Sequence, residues 1–253
     1  MAQPTGLVAL LQVDHELAER LSAATLAAAE PMALAPTEWL DVGVWHPRAP
    51  TDEERAAHLG LLVLEGFVAR RVRVLERPAT ELLGPGDLLL PWEPDRTEPF
   101  ASGARWEVLD ETLVAVLDRR FTGLIARWPE ITVALLGRAV SRSRSFALSL
   151  AITQLVGADL RLLALLWHVG ERWGTREEDG IVLPVRLTHE LLGSLVSAQR
   201  PTVTRALGRL FDDGRVSRRD DGLLVVHGEP PAELRPMRSA LVAAPENAEA
   251  AGA

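Results

Sequence analysis

Thr188 to Asp213 reads T-H-E-L-L-G-S-L-V-S-A-Q-R-P-T-V-T-R-A-L-G-R-L-F-D-D, and Gly214 follows. Leu191, Leu192, Leu195 and Val196 fall at helical spacing behind Thr188, a residue type suited to cap a helix start. Ser197 to Gln199 breaks the pattern, and a second helical period runs through Val203, Leu207 and Leu210. Pro201 fits only the first turn of that second helix, where its missing N–H has no partner to lose. Gly214 suits a C-terminus that needs a left-handed residue. Two short helices across a tight turn predict a helix-turn-helix. Its second helix carries Arg200, Thr202, Thr204, Arg205 and Arg209 at its start and along its polar side. Arginine presents a fork of donors that matches guanine O6 and N7, and the start of a recognition helix is where such groups reach base edges.

The residues on either side extend the unit. Arg215-Val216-Ser217-Arg218-Arg219 leads through Asp220-Asp221-Gly222 into Leu223-Leu224-Val225-Val226-His227. Asp-Gly between two strand-like runs predicts a hairpin, here a wing with arginines near its tip. Ile181 to Leu187 predicts a further short strand ahead of the helices, and Gly174 to Gly180 reads as a polar loop. Between Arg186 and Arg219 seven arginines face Glu190, Asp212 and Asp213. That local +4 leaves −12 for the rest of a chain whose total is −8, so a basic module sits on an acidic body.

Upstream the pattern changes. Asp14 to Glu30 predicts one helix with Leu17, Leu21, Ala24 and Ala28 on its packed face. Met32 to Pro50 reads as short strands and turns, and Thr51 to Arg55 as a solvated charged segment. Leu59 to Leu75 predicts two strands about Glu65-Gly66, Leu82 to Leu90 a strand–turn–strand, and Trp106 to Leu117 two strands about Asp110-Glu111. Short strands with Gly/Pro turns at regular intervals suggest a small β-barrel or jelly roll. Phe121 to Trp128 continues as helix, and Pro129 starts a new one. In it Leu136, Val140, Ser143, Ala147 and Leu150 recur at alternating four and three, a heptad seam, with Arg138, Arg142 and Arg144 expected on its flanks. Val156-Gly157-Ala158 reads as a hinge, with Asp159 as the cap of a helix from Leu160 to Trp173 whose Leu162, Leu163, Leu166 and Trp167 are core. Met1 to Gly6 and Ala232 to Ala253 read as loose tails, the latter rich in Ala, Pro and Glu.

Several words of this sequence resemble the cyclic-AMP-receptor/FNR superfamily of transcription regulators. In the C-terminal half they are L-T-H-E-L-L-G-S-L-V at Leu187–Val196, R-P-T-V-T-R-A-L-G-R-L at Arg200–Leu210 and D-D-G-R-V at Asp212–Val216. In the N-terminal half, L-V-L-E-G-F-V, L-G-P-G-D-L and V-L-D-E-T-L-V-A-V-L-D followed by R-R-F-T-G-L-I-A-R-W-P-E are similar to that family's cyclic-nucleotide-binding β-roll. The likeness covers most of Leu61 to His227, and the first sixty residues match weakly. It implies an α+β chain: a double-stranded β-roll over 1–128, a dimerisation helix and hinge over 129–156, a winged helix-turn-helix over 157–230 and a disordered tail over 231–253. The family's recognition helix commonly reads R-E-T-V-x-R. Arg200 and Arg205 fall on its base-reading arginines, and Pro201 falls on its base-reading glutamate. Proline has no acceptor for cytosine, so the operator is expected to differ at that step. Gln199 stands where a serine is usual.

The resemblance further implies a homodimer formed through the long helix, with Leu136, Val140, Ser143, Ala147 and Leu150 at the contact. Thr188, Ser197, Gln199, Thr202, Thr204, Arg209, Arg218 and Arg219 are expected on DNA phosphates, and RNA polymerase is a further candidate partner. In nucleotide-binding members the segment after the roll's middle strands opens a short helix with Gly-Glu, then supplies an arginine to cradle the phosphate. Here it reads P-W-E-P-D-R-T-E-P-F-A-S-G-A-R. Neither Arg96 nor Arg105 sits in the family's pattern, and Glu93, Asp95 and Glu98 would repel phosphate. Control by a cyclic nucleotide is therefore not expected and no cofactor is assigned. Trp92, Phe100 and Trp106 are candidate lining for a remodelled small-molecule pocket.

Other chemistry is missing from the sequence. There is no cysteine, hence no disulfide, thiolate zinc site or cysteine-held cluster, and no lysine, hence no Walker phosphate loop. The six histidines show no metal-ligand spacing, and no nucleophile elbow is present. No enzymatic activity is expected. No secretory signal or span of roughly 20 apolar residues is found, so the expected setting is the cytoplasm. The alternative reading is a β-roll that binds a small molecule or partner and whose helix-turn-helix makes only protein contacts.

Overall fold

A computed structural model of the chain describes residues 6–48, 51, 57–74, 77–92 and 103–231. The N-terminal tail apart from Gly6, the charged segment at Asp52 to Arg55, the stretch carrying Glu93, Asp95, Arg96, Glu98 and Phe100, and the tail from Ala232 lie outside the described residues.

The predicted N-terminal helix is divided. After β1 (Gly6–Ala9) come α1 (Leu10–Val13), α2 (His15–Glu19) and α3 (Ala23–Ala29). Two side-chain caps cause the division: Asp14 Oδ1 accepts from the Leu17 N–H at 2.9 Å and Ser22 Oγ from the Thr25 N–H at 3.1 Å. Each cap starts a new helix. Leu17 and Ala29 turn inward, while Ala24 and Ala28, expected on the packed face, are exposed.

Strands β2 (Leu34–Leu40), β3 (Gly43–Trp45), β4 (Gly60–Val74), β5 (Arg77–Leu83), β6 (Leu88–Leu89) and β7 (Gly103–Leu117) complete an antiparallel seven-stranded sheet with β1. Its main path is β1-β2-β7-β4-β5, with β3 added on β7 and β6 on β4. The hairpins expected at Glu65-Gly66 and Asp110-Glu111 do not form. β4 and β7 are single strands that pair with one another from Gly60↔Leu117 to Arg73↔Gly103. Because the runs on both sides of Gly66 find their partners on the same neighbouring strand, the chain does not reverse. The surplus residues are instead absorbed as register shifts between Val63 and Val68. Gly66 sits there at φ +81°, where a Cβ would lie 2.2 Å from the Glu111 carbonyl oxygen, so only glycine fits.

Helix α4 (Arg119–Ile125) leads to α5 (Pro129–Thr153), which has Pro129 in its first turn, as predicted, and is about 37 Å long. Ile131, Ala134 and Leu135 pack it on the core formed by the N-terminal helices and Leu62, Ala115, Leu117 and Phe121. The predicted seam faces the other way: Leu136, Val140, Ser143, Ala147 and Leu150 are all exposed in the single chain, Leu136 at 62%. Arg138 and Arg142 do not flank that seam. At 3.6 residues per turn they fall roughly 200–240° round from Leu136. Arg138 is buried against Asp14 and Glu16, and Arg142 grips both Glu81 oxygens at 2.9 Å while donating to the Leu88 carbonyl. Arg144 alone stays on the exposed side.

Gly157 at φ +94° then turns the chain into α6 (Ala158–Trp173). Gly157, not Asp159, holds the cap position. The predicted polar loop is a short hairpin, β8 (Thr175–Glu177) with β9 (Gly180–Val182). Helices α7 (His189–Leu195) and α8 (Arg200–Asp212) follow, then β10 (Val216–Arg218) and β11 (Leu224–Val226). These four strands form a second sheet, in the order β10-β11-β9-β8. The whole is α+β, a β-roll with helices followed by a winged helix-turn-helix. No helix of the described residues is long and apolar enough to cross a membrane.

Candidate nucleic-acid interface

The two helices meet through a turn fixed by backbone geometry. Thr188 caps α7, its Oγ1 accepting from the Leu191 N–H at 3.1 Å. Ser197 takes φ +53° to reverse the chain, and the Ala198 N–H donates to the Gly193 carbonyl at 2.8 Å. A Cβ on Gly193 would come within 2.6 Å of the Ala198 carbonyl oxygen, so glycine lets the turn close onto α7. Helix α8 buries Val203, Ala206, Leu207 and Leu210 in the core it shares with α6 and α7. Arg200, Pro201, Thr204, Arg205 and Arg209 are exposed along its other side, with Gln199 just before it and Thr202 half-buried.

Helix α6 holds this unit with two side chains from its first turn. Asp159 forms a two-point pair with Arg209, at 2.8 Å from Nε and 2.7 Å from Nη2. Its hydrogen bonds push the Arg209 guanidinium above its ordinary pKa. Arg161 Nη1 donates to the Val196 carbonyl at 3.0 Å and reaches the Ser197 carbonyl at 3.4 Å, bracing the left-handed turn. Neither contact was read from the sequence. Asp159 and Arg209 lie fifty residues apart, and nothing local marks them as partners.

The predicted contact residues thus divide into two groups. Arg209 is engaged by Asp159, Thr204 Oγ1 by the Arg200 carbonyl and His189, and Arg219 by Glu177 and Asp221. The guanidinium groups of Arg200, Arg205 and Arg218 hold no ion pair among the described residues and lie exposed. The wing forms as predicted, with Val216↔Val226 to Arg218↔Leu224 in register and Gly222 at φ +85° in its turn. An exposed helix start with two unengaged arginines, backed by a wing carrying a third, presents cationic donors to a polyanion.

The unit is also fastened to the β-roll. Phe67, Ala69 and Leu82 of the roll share a core with α6, α7 and α8. Trp173, at the end of α6, stands edge-on to Phe67 at 5.4 Å and donates from Nε1 to the Pro85 carbonyl at 3.0 Å. Arg172 pairs with the wholly buried Asp87 and donates to Ser145 Oγ at 2.8 Å, and Ser145 in turn meets His168 Nε2 at 2.9 Å. Burial pushes the Asp87 carboxyl up, against the pull of Arg172 and the Gly84 N–H. Burial, with Arg172 beside it, holds the His168 imidazole below its ordinary value.

The aromatic pocket differs from expectation. A cavity of about 840 Å³ opens on the roll, lined by Trp39, Trp45, Trp92 and His58 with Glu38 and Arg119. Trp106 lies behind it, 5% exposed and edge-on to Trp45 at 5.7 Å, while Phe100 is outside the described residues. A smaller cavity, about 270 Å³, lies between the roll and α5. There Glu81 already engages Arg142 and approaches Arg70 at 3.8 Å, so a carboxylate occupies the cations that would draw a phosphate.

Comparison with known proteins agrees with this geometry. Residues 160–229 match the model of the Crp-like helix-turn-helix domain. The chain is 40% identical over 91 residues to the regulatory protein CysR of Synechococcus elongatus, an alignment covering 34% of this chain and 44% of that one. It thus spans under half the length of that relative. Among solved structures, a cyclic nucleotide-binding domain containing protein from Listeria monocytogenes superposes with a TM-score of 0.60 at 14% identity, over 85% of this chain and 97% of that chain. A CRP-family transcriptional regulator from Thermus thermophilus superposes with a TM-score of 0.54 at 21% identity, over 75% and 91%. At those identities the two structures speak for the fold.

Proposed function

We propose that the chain is a CRP/FNR-type, sequence-specific, DNA-binding transcription regulator of the cytoplasm, not an enzyme, acting as a homodimer on a near-palindromic operator; the Crp-like helix-turn-helix match over residues 160–229 and the likeness to the regulatory protein CysR support this reading. One observation carries the reading. The start of a recognition helix, in a Crp-like helix-turn-helix, offers Arg200 and Arg205 exposed and unengaged. In a symmetric pair of chains, two such helices enter successive major grooves about 34 Å apart. Arg200 and Arg205 read bases, Pro201 leaves the intervening step without a carboxylate acceptor, and Thr188, Ser197, Gln199, Thr202 and Arg218 lie along phosphates. The exposed seam on α5 supports the dimer, since Leu136, Val140 and Leu150 recur on one helix face at heptad spacing and covering such a face with a partner helix is favourable in water. The occupied cations beside Glu81 support control by something other than a cyclic nucleotide.

The base-reading role separates cleanly from the phosphate role by mutation. Arg205→Ala is expected to cost about 1–3 kcal/mol on the preferred duplex and to relax preference at one base pair of each half-site. Arg218→Ala is expected to weaken all duplexes alike and to make the salt dependence shallower by about 0.9 for each phosphate it no longer neutralises. Equal losses on every sequence from Arg205→Ala would contradict base reading.

A further inference from the structure

Strand β4 runs beneath the DNA-binding unit and out past it. Its alternate residues Phe67, Ala69, Arg71 and Arg73 share one face, since successive side chains on a strand point to opposite sides. Phe67 and Ala69 are buried in the core shared with the helix-turn-helix. Arg71, the next on that face, pairs with Glu107 at 2.9 Å and reaches Glu190 in the first turn of α7 at 3.7 Å. Arg73 comes next and is exposed. On β7, Arg105 stands directly opposite Arg71 and is exposed on the same face. Gly103, which has no side chain, stands opposite Arg73.

Arg71 is engaged by Glu107 and Glu190. Arg73 and Arg105 hold no ion pair among the described residues, and each keeps a long side chain in water at the end of the sheet. Their place in the fold gives that cationic pair a direction. Glu190, which Arg71 touches, is two residues beyond the Thr188 cap. Arg105, opposite Arg71, and Arg73, the next residue on that face, therefore neighbour the strand position that meets the first turn of the first helix of the helix-turn-helix. When such a unit docks on DNA its first helix crosses the phosphate backbone while the second fills the groove.

We propose that this end of the β-roll is a second DNA contact, in which Arg73 and Arg105 bind backbone phosphates flanking the base pairs read by α8. The inference rests on the proposed function and extends the interface from the helix-turn-helix to the sensor-like half of the chain. Contacts of this kind add affinity without base preference and are read through salt.

The test uses the full chain, its selected duplex with about ten additional base pairs on each side, and the same duplex trimmed to the half-sites. Replacing Arg73 and Arg105 together by Gln should make the slope of log affinity against log salt shallower on the long duplex. The expected change is about 0.9 per phosphate, or about 3.6 for two arginines in each of two chains. The base preference should stay as it was. On the trimmed duplex the substitution should have little effect, and Arg73→Lys with Arg105→Lys should restore most of the slope. An unchanged slope on the long duplex, with sequence selection intact, overturns the second contact and leaves the proposed function standing. A slope that falls equally on both duplexes also overturns it, because the arginines would then be acting at the half-sites or through the fold. A wild-type chain that selects no sequence at all removes both.

Discussion

Aspartate at Leu136 and Leu150 is expected to leave the chain monomeric and to weaken its binding to a two-half-site operator by about 100- to 10,000-fold. Both side chains are exposed in the single chain, at 62% and 46%, so the substitutions remove little from its own core. In a symmetric pair of α5 helices each position meets its counterpart, and the double variant would bring four carboxylates into one apolar contact. Unpaired carboxylates in such a place are costly. DNA affinity then falls because the second half-site is no longer held at high effective concentration by the first. Analytical ultracentrifugation and binding to one- and two-half-site duplexes read both effects. The variant should bind a single half-site about as well as the wild type. If it sediments as a dimer and keeps its full affinity, the seam is not the contact.

Removing the cation that faces Asp87 should produce the largest loss of stability. Arg172→Met is expected to destabilise the chain by about 3–5 kcal/mol at neutral pH, since it leaves a wholly buried carboxylate without the cation that pairs with it directly. It also removes the donor to Ser145 and the cation stacked 4.2 Å from the Trp173 ring. The sign of the pH dependence follows from Asp87. Its carboxyl already lies above its ordinary value through burial, and loss of Arg172 raises it further. A carboxyl raised in the folded state contributes stability that is present at low pH and lost as pH rises through its folded value. The contribution of His168 runs the other way with pH, but its change on losing Arg172 moves the variant's deficit in the same direction. Burial and Arg172 hold it below its ordinary value, so its contribution is present above about pH 6.5 and lost as pH falls, and without Arg172 part of that acid penalty disappears. The deficit of the variant should therefore shrink between about pH 7 and pH 5. Urea unfolding at the two values measures it, and a deficit that grows on acidification would show that Asp87 is not the group responsible. Adding Asp87→Asn should recover part of the loss by removing the stranded charge.

Local signals account for what the sequence made legible. The helix-turn-helix was readable because its apolar period, the Thr188 cap, Pro201 in the first turn and the Asp221-Gly222 turn all act within a few residues. The wing and the start of α5 at Pro129 were readable for the same reason. The hairpins expected at Glu65-Gly66 and Asp110-Glu111 failed because a bulge and a turn share one local chemistry. Whether the chain reverses is decided by the partner strand, and β4 and β7 supply each other with one. The division of the N-terminal helix has a different cause: the Asp14 and Ser22 caps are local signals, but an apolar period running across them imitates one continuous helix. Arg138 and Arg142 were open to correction from helical geometry alone, which puts them opposite the seam. Their acidic partners Asp14, Glu16 and Glu81 lie some sixty or more residues away and were not open to it. At the interface, residue types and order were legible. Which arginines are free was not, because Asp159 and Glu177 reach Arg209 and Arg219 only in the folded chain.

Selection from random-sequence duplexes with the full wild-type chain, the bound fraction being sequenced at more than one salt concentration, decides whether a pair of recognition helices reads bases. The expected result is an enriched, near-palindromic site whose two halves are centred about one helical turn apart, with base preference concentrated where Arg200 and Arg205 reach. A bound fraction as random as the input, or a site whose halves repeat head to tail, would contradict it.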